Sequence, residues 1–227
     1  MKLRLTAVLA TVAMITAACG AQFFIAKDKA DAVKKVAVVQ YAINPHLLLG
    51  PAAVDDAKFN IALKNVESFG KELGNTYQVT PAADVLANAG YTGAGGKAAW
   101  DGYYTAKGMT YFSADEDSLT QATLTPDAAK KLAEALGVDG VVTIYDSWGV
   151  QTFAMGFKGH SAPYYVINLY DKDGNRAWGG QFSGESETDF ATPGGIISTD
   201  VDVWTKANNE SFVVAMGQLK TAIGAKQ

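Results

Sequence analysis

Leu124-Thr125-Pro126-Asp127-Ala128-Ala129-Lys130-Lys131-Leu132-Ala133-Glu134-Ala135-Leu136-Gly137-Val138-Asp139-Gly140-Val141-Val142-Thr143-Ile144-Tyr145 decides how this chain folds. Thr125 offers a side-chain oxygen to the free N–H groups of a first helical turn, Pro126 suits the first helical position, and Asp127 complements the positive end of the helix dipole. Leu132 and Leu136 share the inward face. Gly137 ends the helix in the left-handed conformation that a β-carbon disfavours. The β-branched run Val138 to Tyr145 then reads as a buried strand. A helix feeding directly into a buried strand is the unit of an α/β fold.

Downstream, Tyr164 to Tyr170 reads as the partner of that strand. It turns through Asp171-Lys172-Asp173-Gly174 into a third strand from Asn175 to about Glu187, an antiparallel hairpin. A closing helix covers Asp200 to Ile223, with Val201, Trp204, Phe212, Met216, Leu219 and Ile223 inward. Upstream, Lys35-Val36-Ala37-Val38-Val39-Gln40-Tyr41 reads as a buried strand that Asn44-Pro45 breaks. A helix over Ala52 to Leu73 puts Phe59, Ala62, Leu63, Val66, Phe69 and Leu73 on one face, and Tyr77 to Thr80 forms a short strand. Pro81 opens a small helix carrying Val85 and Leu86. Between Gly90 and Leu124 the pattern loosens, with a short helix near Lys97 to Tyr104. Together these elements predict a single α/β (α+β) domain over residues 35–227, with a mixed β-sheet packed with helices in two or three layers.

The amino terminus carries a different signal. Lys2 and Arg4 precede Leu5 to Ala18, a stretch without one charge, which has the pattern of a secretory signal and is shorter than the roughly 20 residues of a membrane-spanning helix. Ile15-Thr16-Ala17-Ala18-Cys19-Gly20 follows, small residues leading into the only cysteine of the chain. This run resembles the lipobox read by the lipoprotein signal peptidase, although Thr16 stands where leucine is commoner. The expectation is residues 1–18 as signal peptide, Cys19 as the acylated (palmitate-bearing) residue, and residues 19–34 as a lipidated tether. In a Gram-negative host, Gly20 rather than aspartate after the cysteine resembles the pattern sent to the outer membrane, facing the periplasm.

Composition bounds the partners. A lone thiol makes no internal disulfide, so the mature domain is held by its core. Cleavage before Cys19 removes two positive charges and no negative one, leaving the chain more acidic than its formal −4. That argues against nucleic acid and against electrostatic adhesion to anionic lipid. Membrane contact is expected from the lipid on Cys19, not from the fold.

Lys35 to Val39, the amphipathic helix after it, Tyr77-Gln78-Val79-Thr80-Pro81 and Ala128 to Val142 resemble the domain shared by curli-secretion (CsgG-like) lipoproteins, flagellar FlgO-like lipoproteins and the TolB amino-terminal domain. The resemblance covers Lys35 to Trp178 and rests on loose patterns rather than signatures. It implies a role in assembling or supporting an envelope structure, without catalysis. The curli-secretion members also form a pore from membrane-spanning hairpins, yet the insert Gly149 to Pro163 is too short for two strands of about 9 to 11 residues and a turn.

Motifs for chemistry are sparse. In Gly90-Tyr91-Thr92-Gly93-Ala94-Gly95-Gly96-Lys97, Tyr91 and Ala98 occupy the glycine and hydroxyl positions of a phosphate-binding loop. Asp171 to Asn175 lacks the glycine and glutamate of a calcium loop and reads as a turn. The two histidines, His46 and His160, read as loop residues and stand without a second metal ligand at helical or hairpin spacing. Glu185 and Glu187 read as a solvated strand face. No metal and no cofactor is expected. Two aromatic sets are left. Tyr91, Trp100, Tyr103, Tyr104 and Tyr111 read as core filling rather than a stacking surface for glycan or peptide. Trp148, Phe153, Met155 and Phe157 lie among glycines in a predicted surface loop, where apolar residues mark contacts.

These readings converge on a lipid-anchored, non-enzymatic binding or assembly module of the bacterial envelope. Trp148, Phe153, Met155 and Phe157 are its contact to an envelope protein partner or a second copy. Two alternatives differ in what they require. An envelope hydrolase acting on glycan or peptide needs a deep cleft with convergent titratable groups, and a small-ligand sensor needs an enclosed apolar cavity.

Overall fold

Strand β2 (Lys35–Asn44) runs down the middle of the parallel half of a sheet because Val36, Ala37, Val38 and Val39 are apolar on both faces and buried on both. The computed structural model describes residues 23–44, 53–96, 122–192 and 200–224, of which residue 44 and residues 53–59 are described by their backbone. Elements follow in the order β1 (Phe23–Ile25), α1 (Lys27–Ala32), β2, α2 (Ala53–Leu73), β3 (Gln78–Thr80), α3 (Ala82–Ala87) and α4 (Ala89–Gly93). After them come α5 (Pro126–Leu136), β4 (Gly140–Ser147), β5 (Val150–Phe153), β6 (Lys158–Ser161), β7 (Tyr164–Asp171), β8 (Arg176–Ser183), β9 (Asp189–Ala191) and α6 (Val201–Gly224). This is the expected single mixed α/β domain.

The main sheet has six strands in the order β1-β8-β7-β4-β2-β3. β2 pairs in parallel with both β3 and β4, and the β4–β7, β7–β8 and β1–β8 pairs are antiparallel. Alternation along the strands assigns the faces. Tyr41, Asp146 and Tyr165 point to α2 and α6, where they meet Asn65 and Asn208. Thr143, Asn168 and Tyr170 point to the opposite face and bond to the backbone of Ala122 and Leu124, just before α5. Helices thus cover both faces, in three layers.

The local chemistry of α5 is as the sequence predicts. Thr125 accepts from the N–H of Ala128, Pro126 opens the helix, and Gly137 is left-handed at φ 61° and ψ 46°. The β7–β8 turn is likewise built by Asp171, whose Oδ1 accepts from the N–H groups of Asp173 (3.0 Å) and Asn175 (2.8 Å). Gly174 supplies φ +84° there, and its α-carbon approaches Pro126 so closely that a β-carbon would lie 2.2 Å from the carbonyl oxygen. Along α2, Ala62, Val66, Phe69 and Leu73 are buried, and on α6 so are Trp204, Phe212, Met216, Leu219 and Ile223.

Three sequence expectations change. Residues 23–34 belong to the domain rather than to a tether: Phe23–Ile25 completes the sheet edge against β8, and α1 packs next to it. Three residues are too few to show a period, and the ring of Phe23 against Trp178 (6.3 Å) and Phe182 (5.9 Å) is a tertiary contact. β8 stops at Ser183, so Glu185 and Glu187 lie beyond it. Gly184 sits so tightly on α6 that a β-carbon would lie 1.9 Å from the Ser211 carbonyl oxygen, and the chain leaves the sheet there. Finally, the insert after β4 supplies β5 and β6 of a second sheet, which β9 completes in the order β5-β6-β9, and His160 is on a strand of it. The short helix expected near Lys97 to Tyr104 lies outside the described residues.

Candidate functional site

Trp148, Phe153, Met155 and Phe157 are separated by the structure into two environments. Trp148 follows β4 directly and is fully buried. Its indole packs edge-on against Trp204 at 5.4 Å, and its N–H donates to Asp146 Oδ2 at 3.2 Å. It is a core residue, not a surface contact, because Trp204 and Asp146 enclose its indole as the chain leaves β4. Phe153, Met155 and Phe157 sit on the β5–β6 hairpin tip and are 37%, 94% and 61% exposed. Phe153 stacks loosely on His160 (5.6 Å) and otherwise faces out. The tip is tightly turned: Ala154 and Met155 are left-handed at φ 50° and 56°, followed by Gly156 at 84°. Left-handed non-glycine residues are uncommon and cost energy. Thr192 holds the turn by donating from its hydroxyl to the Gly156 carbonyl (2.9 Å), while its N–H donates to that of Phe157.

The second concentration of functional groups is a sealed polar cluster that sequence reasoning did not find. Asp146 Oδ2, near the end of β4, accepts from Tyr41 Oη (2.9 Å), Trp148 Nε1 (3.2 Å) and Asn208 Nδ2 (3.4 Å). Asn65 of α2 donates to Tyr41 Oη (2.6 Å) and Asn208 Oδ1 (2.8 Å), and Tyr165 donates to the Asn208 carbonyl (3.2 Å). Its members come from β2, α2, β4, β7 and α6, so no local spacing announces them. Burial pushes the Asp146 carboxyl up to about 7, against the opposing pull of its three donors. Burial likewise raises the Tyr41 and Tyr165 phenols, with the Asp146 charge adding to it.

Such a carboxyl holds a proton near neutral pH, the property an acid–base catalyst needs. Here, however, Tyr41, Asn65, Asp146, Trp148, Tyr165 and Asn208 are all buried. The cluster therefore acts on the fold: its hydrogen bonds tie Asn65 of α2 and Asn208 of α6 to Tyr41 and Asp146 of the sheet.

His160 Nε2 lies 3.6 Å from Glu185 Oε2, a contact at the base of the small sheet. Tyr91 is core, its hydroxyl donating to the Val39 carbonyl at 2.8 Å. Cys19, His46, Trp100, Tyr103, Tyr104, Tyr111 and Phe112 lie outside the described residues. Among the described residues no three His, Cys, Asp or Glu side chains converge on a common point. No helix among them is long and apolar enough to cross a membrane. A cavity of about 210 Å³ opens at the far end of the sheet, lined by Ile25, Lys27, Asp31, Lys34, Tyr77 and Ile223 among others. Its Lys27 and Asp31 pair with each other at 2.8 Å.

No known protein family matches the chain, and no curated protein matches it. Solved structures do share similarity with it. Lipoprotein GNA1162 from Neisseria meningitidis is 16% identical with a TM-score of 0.38, over 85% of this chain and 96% of that one. The PelC dodecamer from Paraburkholderia phytofirmans is 12% identical with a TM-score of 0.35, over 86% and 97%. The hypothetical protein CT253 from Chlamydia trachomatis is 13% identical with a TM-score of 0.34, over 86% and 95%.

Proposed function

We propose that this protein is a lipid-anchored, non-enzymatic contact module of the bacterial cell envelope, held by acyl chains on Cys19. In a Gram-negative host it faces the periplasm from the outer membrane. The observation that carries the reading is Ile15-Thr16-Ala17-Ala18-Cys19-Gly20, placed directly after a charge-free stretch with Lys2 and Arg4 before it. The start of β1 at Phe23 adds support, because it leaves only a short link between Cys19 and the folded domain. The contact surface is the tip bearing Phe153, Met155 and Phe157, which are large apolar side chains that the fold does not bury.

Cys19→Ser tests it. The wild-type protein is expected in the membrane fraction and resists salt washing, because two or three acyl chains anchor far better than one. The variant is expected in the soluble fraction or retained at the inner membrane uncleaved, with the melting temperature of its domain unchanged. A variant that distributes and processes like the wild type would sink the reading.

A further inference from the structure

Where the hairpin tip lies relative to the amino terminus indicates what it touches. β1 is antiparallel to β8, with Phe23 opposite Gly180 and Ile25 opposite Trp178, so the chain before Phe23 comes from the end of the sheet where β8 stops. At that end Ser183 is opposite Tyr164, and Tyr164 is opposite Ser147. It is therefore also the end at which β4 runs into the β5–β6 hairpin and the hairpin returns into β7.

The hairpin continues past this end alongside α6. Gln218 of α6 donates to the Ser183 carbonyl and Ser211 to that of Ser161, while Trp204 packs on Phe190, the strand partner of Gly159. Cys19 is four residues from Phe23, a reach of at most about 14 Å. The chain thus enters β1 at the same end of the sheet at which the hairpin bearing the apolar tip is rooted.

We infer that Phe153, Met155 and Phe157 insert into the headgroup region of the same bilayer that holds the Cys19 acyl chains, giving the domain a fixed orientation on the membrane. The inference rests on the lipid-anchor reading above. Three observations select lipid over protein. Val150 to Lys158 contains no acidic residue, and its one charge is Lys158, exposed beside Phe157 and suited to phosphate headgroups. The nearest acids lie behind the tip: Asp189 of β9 is opposite His160, and Glu185 and Glu187 precede β9. The three exposed side chains offer on the order of 400 Å², about half of what one side of a stable protein interface buries. A small convex tip of this kind inserts among headgroups, as interfacial aromatic residues do.

The test uses the full acylated chain in vesicles of phosphatidylethanolamine and phosphatidylglycerol, with a polarity-sensitive fluorophore at Met155→Cys. Acylation consumes the Cys19 thiol, so the introduced thiol is the only one free to react. Phe157→Cys is the second labelling site, and Asp173→Cys, at the opposite end of β7, is the control. The expected result is a blue shift at position 155 or 157, quenching by lipid-borne nitroxide and loss of quenching by aqueous iodide, with position 173 water-like. Iodide quenching equal to that at position 173, in a chain shown by mass to be acylated, overturns the insertion and leaves the anchor standing. Protection from iodide without quenching by the lipid nitroxide overturns it in favour of a protein contact. A chain recovered unacylated overturns the anchor reading and this inference together.

Discussion

The hairpins β7–β8 and β5–β6 are both antiparallel, both short-turned and adjacent in the chain, yet their turns have opposite chemistry. At one end of the sheet, the Asp171 carboxylate folds the β7–β8 turn by accepting from the N–H groups of Asp173 and Asn175, with Gly174 taking the left-handed position. At the other, the β5–β6 turn puts non-glycine residues, Ala154 and Met155, in left-handed geometry and spends the exposed positions on Phe153, Met155 and Phe157. A polar turn satisfies itself locally, whereas an apolar one stays stable only as an appendage of a firm base. That base is Trp148, the Asp146 cluster and the N-terminal half of α6. The difference separates what holds the fold from what the fold presents.

Truncating the base is the most damaging way to test this. Trp148→Ala removes a fully buried indole and one of the three donors to Asp146. A loss of about 3–5 kcal/mol is expected in urea unfolding. A loss below about 1 kcal/mol would place Trp148 with the tip rather than the core.

The Asp146 cluster gives the base a pH signature. This carboxyl titrates near 3.8 in the unfolded chain and at about 7 in the folded one. Between those values the folded state keeps a proton that the unfolded state releases. Its contribution to stability is therefore complete below about pH 4 and is lost as pH rises through 7. The unfolding midpoint of the wild type should fall between pH 5 and 8, and Asp146→Asn should flatten that slope. A wild-type midpoint that rises over this window would show that the carboxyl is ionised in the fold.

Gly137→Val isolates backbone strain, since no atom lies within 4 Å of where the β-carbon would stand. The left-handed φ alone should cost about 1–2 kcal/mol. An unchanged melting temperature would mean that the helix end relaxes into another conformation. Smallest of all, Phe153→Ala combined with Phe157→Ala should move stability by less than about 0.5 kcal/mol, as exposed positions do. A large drop would make those rings part of the core and dissolve the contrast between the two hairpins.

The sequence was readable wherever structure is dictated locally. Thr125, Pro126 and Gly137 specify a helix and its stop, Asp171 to Asn175 specifies a turn, and the periodic apolar faces of α2 and α6 specify which side is buried. It was unreadable where neighbours decide. Trp148 and Phe157 occupy similar aromatic-and-glycine surroundings in the chain, and only Trp204 and Asp146, distant or folded against it, make the first one core. β1 is three residues whose partner, β8, lies more than 150 residues away. The polar cluster draws Tyr41, Asn65, Asp146 and Asn208 from four elements, so its existence is a tertiary fact with no linear signal.

The orientation of the tip depends on what Cys19 carries. Intact-mass analysis of the detergent-extracted protein tests this most directly: the account predicts an amino terminus at Cys19 bearing diacylglycerol, with or without a further acyl chain. An unmodified amino terminus beginning at Gln22 would contradict it.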